Sequence, residues 1–386
     1  MQARPAETVT PIAERARRFA PVVWLLGKVQ SGKSSIIRIL TGASEAEIGE
    51  GFAACTSTAR VFDFPAEAPI IRFLDTRGLG ESRYDPASDI AFCEARSHLL
   101  LGVVKALDLE QHAVASVMRS ARQRHPDWPV VIAQTSLHEG YPAGMQHPPY
   151  PADADLVATV MPHELTRALA HQRSLFATLP GRTAAAFVPI DFTQPGDGLE
   201  PIDYGRAALI DALIAAAPAA VAVALTEMVR AGENTAGKVN PHILGFALAA
   251  GASDAVPVAG LVAVPVVQAA MLQQLARLCG ARWDRQAYAE FAVALGAGTL
   301  VRTASSFGVR QLVKLIPVYG QTAGAAAAAA ASFAATYALG KAATYFLLRR
   351  RAGRRAEEVS AVYQNALRQA FGLARTRNIR GSEARS

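Results

Sequence analysis

Charge is scarce in this chain of 386 residues: Asp, Glu, Lys and Arg make up 18% of it, against 51% hydrophobic residues. Cysteine is scarcer. Cys55, Cys93 and Cys279 stand far apart with no paired spacing, which argues against a disulfide framework or a zinc site and fits a reducing cytoplasm. The opening segment MQARPAETVTPIAERARRFAP carries charges where a signal peptide needs its apolar core, so secretion is not expected. The histidines show no HExxH or other metal-binding spacing. There is no Gly-x-Ser-x-Gly elbow, and no basic strand is interleaved with aromatics. A zinc hydrolase, a serine hydrolase and a single-strand binder are therefore set aside, and no nucleic-acid partner is expected.

The formal net charge is +7, and it is local. Ten Arg and three Glu lie between Arg349 and Ser386, so the tail alone carries the whole excess. Such a tail taken by itself suits an acidic partner surface such as anionic lipid or nucleic acid, or it is a solvated helix face followed by a loose end.

From Pro21 to about Ala217, strand-like apolar runs alternate with helical or loop segments. The runs are Val22 to Leu26, Val61 to Phe64, Ile70 to Leu74, Val130 to Ala133 and Ala186 to Ile190. This alternation predicts a three-layer α/β domain around a mainly parallel sheet. The Pro- and Gly-rich segment 137–151 reads as an irregular loop. After about Glu233 glycine, alanine and valine dominate, and an all-α Gly/Ala-rich domain is expected. Residues 255–276 and 315–340 carry no charge, and each is long enough to cross a bilayer at roughly 20 residues per span. Pro257 and Pro265 interrupt the first window and Pro317 the start of the second, so a membrane hairpin and a compact bundle both fit. Gly320, Gly324, Ala328, Ser332, Thr336 and Gly340 recur at every fourth residue, a ridge of small side chains along which another helix can approach closely. The last helix, about 356–375, puts Val359, Val362, Tyr363, Leu367, Ala370 and Phe371 on one stripe; it lies on a membrane surface or packs on the bundle. The expected divisions are a linker at 1–20, the α/β domain at 21–232, the helical domain at 233–350 and a basic helix and tail at 351–386.

The most specific signal is Gly27-Lys28-Val29-Gln30-Ser31-Gly32-Lys33-Ser34-Ser35, set between a strand pattern and a helix pattern. It matches the P-loop in full. Gly27 and Gly32 let the backbone wrap so that its N–H groups face a β-phosphate, and the helix beginning near Lys33 adds its positive end. Lys33 is expected to bridge β- and γ-phosphate oxygens, and Ser34 to bind Mg²⁺. A P-loop also needs an acid that organises the metal. IIRFLDTRG supplies Asp75 at the end of an apolar run, with Gly78 placed to sense the γ-phosphate. Thr56 and Thr58 lie on the loop between, and Thr56 is the favoured second Mg²⁺ ligand. The metal set is thus Ser34, Thr56 and Asp75, and the catalytic set Lys33, Thr56 and Gly78.

These motifs, GKVQSGKSS, the loop threonine and DTRGLGE, together with the Gly/Ala-rich second half, resemble a bacterial Era/dynamin-like GTPase. The second half, through MLQQLARLCG (271–280) and residues 314–346, resembles the YcjF-type domain found behind such GTPases. The resemblance implies GTP or GDP, Mg²⁺ and association with a membrane, here the cytoplasmic face of the cell membrane.

Three departures qualify it. Leu79 follows Gly78 where a glutamine commonly orients the attacking water, so intrinsic hydrolysis should be slow. Arg77 stands where a small residue or proline is usual. In place of an (Asn/Thr)-Lys-x-Asp base reader, the chain has Thr135-Ser136-Leu137-His138. A neutral histidine offers one acceptor where an aspartate offers two. Glu139 could swing in as a substitute, and Asp191 or Thr193 in VPIDFT could meet the base edge or ribose. The favoured function is a Mg-dependent GTP-binding switch with slow turnover, joined to a membrane-associated or self-associating helical domain. The alternatives are a nucleotide-promiscuous or ATP-specific P-loop ATPase and a non-hydrolysing nucleotide-bound scaffold.

Overall fold

The computed structural model describes residues 14, 16–17, 20–42, 52–54, 59–76, 91, 97–151, 153–217, 235–254, 259–296 and 320–370. The chain divides into two compact units, one of residues 20–64 and 71–229 and one of residues 1–19, 65–70 and 230–386.

The first unit is α/β. Its seven-stranded sheet comprises β1 (Val22–Leu26), β2 (Phe52–Ala54), β3 (Ala59–Phe64), β4 (Ile71–Thr76), β5 (Ser97–Lys105), β6 (Val130–Thr135) and β7 (Ala186–Pro189), in the order β2-β3-β4-β1-β5-β6-β7. β3 runs antiparallel to β2 and β4, and every other neighbouring pair is parallel. A parallel sheet is covered on both faces, so its central strands are apolar without alternation; all five residues of β1 are buried. One face packs Val22, Trp24, Leu26, Leu100 and Ile132 against Val114, Met118 and Phe176, from helices α2 (His112–Arg124) and α3 (His163–Ala177). The other described helices here are α1 (Lys33–Thr41) and α4 (Arg206–Ala216). A small ribbon pairs β8 (Asp191–Phe192) with β9 (Asp203–Tyr204).

The five expected runs each meet a strand, but β5, the longest strand, is not among them. Its apolar stretch Leu99 to Val104 holds Gly102, and a continuous apolar run of this length does not separate strand from buried helix. Gly102 is there for space: a Cβ would stand 2.7 Å from Ile132 Cδ1 and 2.8 Å from Met118 Cε. Residues 141–151 form no helix or strand, after a 3₁₀ turn over Leu137–Gly140.

The second unit is helical, with α5 (Thr235–Asp254), α6 (Ala259–Leu278), α7 (Arg285–Leu295), α8 (Gly320–Arg351) and α9 (359–370). α5 packs on both α6 and α8. Gly340, the last residue of the small-residue ridge of α8, serves this packing: a Cβ there would stand 2.7 Å from Ile243 Cγ2 of α5 and 3.1 Å from Met271 Sδ of α6. Pro265 does not interrupt its segment, because α6 runs through it, as α5 runs through Pro241. A proline costs an interior helix one hydrogen bond, and tertiary packing offsets that here: Val267 and Met271 are buried in the shared core. The α9 stripe packs the same way, with Val359, Tyr363 and Ala370 in that core; Phe371 lies outside the described residues. Among the described residues no helix is long and apolar enough to cross a membrane. The first arginines of the basic tail are engaged locally. Arg350 pairs with Asp284 at 3.3 Å, and Arg351 Nη1 donates to Cys279 O at 2.9 Å.

Residues 65–70, which join β3 to β4, cluster with the helices. Ala68 is fully buried among them, and Gln274 Nε2 donates to Glu67 Oε1 at 2.8 Å. His242 Nδ1 lies 3.5 Å from Glu67 Oε2. Burial pushes the Glu67 carboxyl up, but His242, with a smaller contribution from Arg277, outweighs it and leaves it below the usual carboxylate range. A carboxyl whose folded pKa is depressed contributes stability above its unfolded pKa, about 4.3, and loses it as pH falls through the folded value. Glu67→Gln should therefore melt earlier than the parent at neutral pH, with the gap closing in acid. Thermal melts from about pH 7 down to about pH 3 check this, and a gap independent of pH would refute it.

Candidate functional site

The C-terminal ends of β1, β4, β5 and β6 converge on one loop. Parallel sheets bind ligands there, because loops and helix N-termini gather at that edge. After Leu26 the chain turns through Gly27, where no side chain fits: a Cβ would stand 2.4 Å from Val103 O and 2.5 Å from Ser31 Oγ. Gln30 at φ 60° and Gly32 at φ 96° curl the backbone before α1 begins at Lys33. Val29 is exposed, Ser34 is exposed and Ser35 half-buried, while Ser31 is buried with no hydrogen bond to its Oγ. Lys28 Nζ is held by both oxygens of Asp108, at 3.0 and 2.8 Å.

Lys33 Nζ turns back over the loop, donating to Gly27 O at 2.9 Å and Lys28 O at 2.7 Å. Asp75 Oδ1 lies 3.6 Å from it. The register of β1 and β4 sets Asp75 beside Leu25, which carries the acid to the level of the loop. Burial lowers the Lys33 ammonium pKa, and Asp75's charge opposes that shift.

Thr135 closes the other side. Its Oγ1 donates to Ser31 O at 2.8 Å, tying the end of β6 to the loop. Under it lies a buried amide pair that the sequence did not reveal. Gln134 Nε2 donates to Gln172 Oε1 at 2.9 Å, and Gln172 Nε2 donates to Lys105 O at 2.7 Å. Ser136 at φ 57° reverses the chain into the 3₁₀ turn. Glu139 on that turn does not swing inward: its Oε1 accepts from Lys105 Nζ at 2.7 Å. His138 meets Asp191, which is 1% exposed. Asp191 accepts from the His138 backbone N–H at 2.7 Å and lies 2.8 Å from its Nδ1.

Residues 22–134 match the family model of the 50S ribosome-binding GTPase. This is a P-loop GTPase domain. The matched segment takes in the loop at 27–35, Asp75 and β1 to β6, and stops just before Thr135 and His138. No curated protein matches the chain. Among solved structures, it is similar to a bacterial selenocysteine-specific elongation factor at 16% identity and a TM-score of 0.27, over 44% of this chain and 26% of that one. It is also similar to an ADP-ribosylation-factor-like GTP-binding protein, a small COPII coat GTPase from Encephalitozoon cuniculi in complex with GDP. That match has 12% identity and a TM-score of 0.27, over 48% of this chain and 76% of that one. The chain thus spans about a quarter of the elongation factor's length.

Within the GTPase domain the structure brings together Gly27, Lys28, Ser31, Lys33, Asp75 and Thr135 at the sheet edge, and His138 with Asp191 on the neighbouring loops. Thr56, Thr58, Arg77, Gly78 and Leu79 lie outside the described residues. Asp108 gave no sequence signal, since an acid three residues past a strand reads as a turn residue. Among the described residues, no three His, Cys, Asp or Glu side chains gather into a metal-binding group. Ser34 and Asp75 offer a hydroxyl and a carboxylate, the hard oxygen donors that suit Mg²⁺ shared with phosphate oxygens.

Proposed function

We propose that the chain is a Mg-dependent guanine-nucleotide switch with slow intrinsic hydrolysis, whose helical unit passes the nucleotide state to a membrane surface or a partner. The nucleotide would lie with its phosphates on 27–35, under Lys33 and the α1 N-terminus. Ser34, Asp75 and Thr56 would hold Mg²⁺, which neutralises charge on the β- and γ-phosphates.

One observation carries the switch reading. The six residues between β3 and β4 pack as part of the helical unit, while β4 carries Asp75, the proposed metal-site acid, as its last residue but one. From Ile70 to Asp75 is one short strand, about 16 Å of extended chain at about 3.3 Å per residue. A strand paired on both sides transmits displacement as a rod, so a ligand that repositions Asp75 acts on Glu67 and Ala68. Seven arginines follow Arg351, and they support an anionic membrane face as the receiving surface.

Titration of the full chain with labelled GTP and ATP, with and without Mg²⁺, tests the nucleotide. The expected outcome is tighter binding of GTP, lost on chelation. Asp75→Asn should erase the Mg²⁺ dependence and weaken GTP by about tenfold, as expected for a lost charge-assisted contact. Multiple-turnover phosphate release tests the switch, with stimulation expected from vesicles containing anionic lipid. No turnover with or without vesicles would leave a nucleotide-bound scaffold.

A further inference from the structure

The site that would face the base holds an unusual pair. His138 opens the turn after β6, and Asp191 opens the ribbon after β7. Thr135 ties the first of these loops to the phosphate loop through Ser31 O. A nucleotide with its phosphates on 27–35 therefore places its base toward the loops following β6 and β7, at the same sheet edge.

Asp191 itself is held away from a ligand. Its side chain is 1% exposed, and both its oxygens lie 2.8 Å from His138 Nδ1. The backbone around it is pinned: Ile190 N–H donates to Gln134 O at 2.8 Å, and Tyr150 OH donates to Pro189 O at 3.0 Å. Behind it Tyr204 stacks on His147, with centroids 4.5 Å apart, and Tyr141 OH meets His147 Nδ1 at 3.0 Å. Burial, and after it Asp191's charge, pushes the Tyr204 hydroxyl up to about 12, so this wall stays uncharged at neutral pH.

A carboxylate only accepts hydrogen bonds. His138 gives Asp191 two donors, its backbone N–H and Nδ1–H, which places the ring proton on Nδ1. The ring is 37% exposed, and among the described residues Nε2 has no hydrogen-bond partner. In the neutral imidazole Nε2 is an acceptor. The other acid on the turn, Glu139, is occupied by Lys105.

We propose that His138 Nε2, with its tautomer set by Asp191, is the single acceptor that reads the base, taking the N1–H of a purine and leaving the 2-amino group of guanine unread. Asp191 is a positioning residue that acts through the ring. Guanine and hypoxanthine both carry N1–H, whereas adenine turns a lone pair at N1 toward the Nε2 lone pair. The site therefore separates 6-oxopurines from adenine without separating guanine from hypoxanthine.

The proposal rests on the nucleotide-binding reading above, and its test keeps the two apart. GTP, ITP and ATP are competed on the full chain in Mg²⁺. The expected result is GTP and ITP within about threefold of each other and ATP at least about tenfold weaker, the cost of one unmet buried hydrogen bond. His138→Ala should lower GTP and ITP together by about tenfold and leave ATP where it was. Asp191→Ala should reduce the GTP-to-ATP preference without altering Mg²⁺ dependence, which a purely structural role would not do selectively. GTP more than about tenfold tighter than ITP in the parent chain would overturn the proposal, because a carboxylate would then be reading the 2-amino group. Equal binding of all three overturns it while leaving nucleotide binding intact. No binding of any of them removes both. The parent comparison needs no variant to fold.

Discussion

Lys33→Ala is expected to abolish measurable nucleotide binding while leaving the fold in place. Lys33 is the cation of the phosphate loop, poised over Gly27 O and Lys28 O with Asp75 3.6 Å away. A β- and γ-phosphate bridged by that ammonium would lose two charge-assisted hydrogen bonds, at about 1.5–3 kcal/mol each. The sum, about 3–6 kcal/mol, is a loss on the order of 10² to 10⁴ in affinity. Lys33→Arg should not restore full binding, because a planar guanidinium fork does not reproduce the compact ammonium that donates to Gly27 O and Lys28 O. Titration with labelled GTP checks this, alongside circular dichroism for the fold. Binding by Lys33→Ala within about threefold of the parent, where one charged hydrogen bond alone predicts more than tenfold, would remove the phosphate-loop reading.

How far the sequence could show these features depended on the distance over which each is decided. β1 and the loop after it are local: an apolar run, two glycines with steric reasons, a lysine and a helix start follow in fifteen residues. Val22–Leu26 and the motif at 27–34 are accordingly where the pattern puts them. The small-residue ridge of α8 is equally legible, because a four-residue repeat needs no partner to be seen. His138 was visible only as a departure. Its partner Asp191 lies 53 residues on, and no local pattern says that the acid would bind the histidine rather than a base. Ser31 O to Thr135, Lys28 to Asp108 and Gln134 to Gln172 are also long-range, and each is decided by strand order. Residues 65–69, with Pro65 and Pro69 at their ends, fall between the expected strand runs Val61 to Phe64 and Ile70 to Leu74. Nothing within the segment indicates that it packs with helices about 170 residues away.

That segment underlies the second large effect, expected from Gly245→Ala. Gly245 is in the interior of α5, where alanine would ordinarily stabilise a helix by about 1 kcal/mol. Here a Cβ would stand 1.8 Å from Ala68 O and 2.9 Å from Ala68 C. Both atoms are main chain of Ala68, which is fully buried, so neither can yield by rotating a side chain. Overpacking of this kind costs typically about 1–3 kcal/mol and sometimes more. A clash of this depth against main chain belongs at the upper end, which leaves a net loss of about 2 kcal/mol after the helix gain. For a unit of roughly 150–250 residues that is a fall of about 4–8 °C in melting temperature. The direction separates the two effects, since propensity alone would raise the melting point. If residues 65–70 carry the nucleotide signal, the same variant should change the GDP release rate without touching a phosphate contact, as its position is remote from Lys33 and Ser34 in sequence and lies in the helical unit. A lowered melting point with an unchanged release rate would keep the packing argument and discard the coupling. A raised melting point would discard both, because it would mean that Ala68 moves freely and the segment is not held by the helices at all.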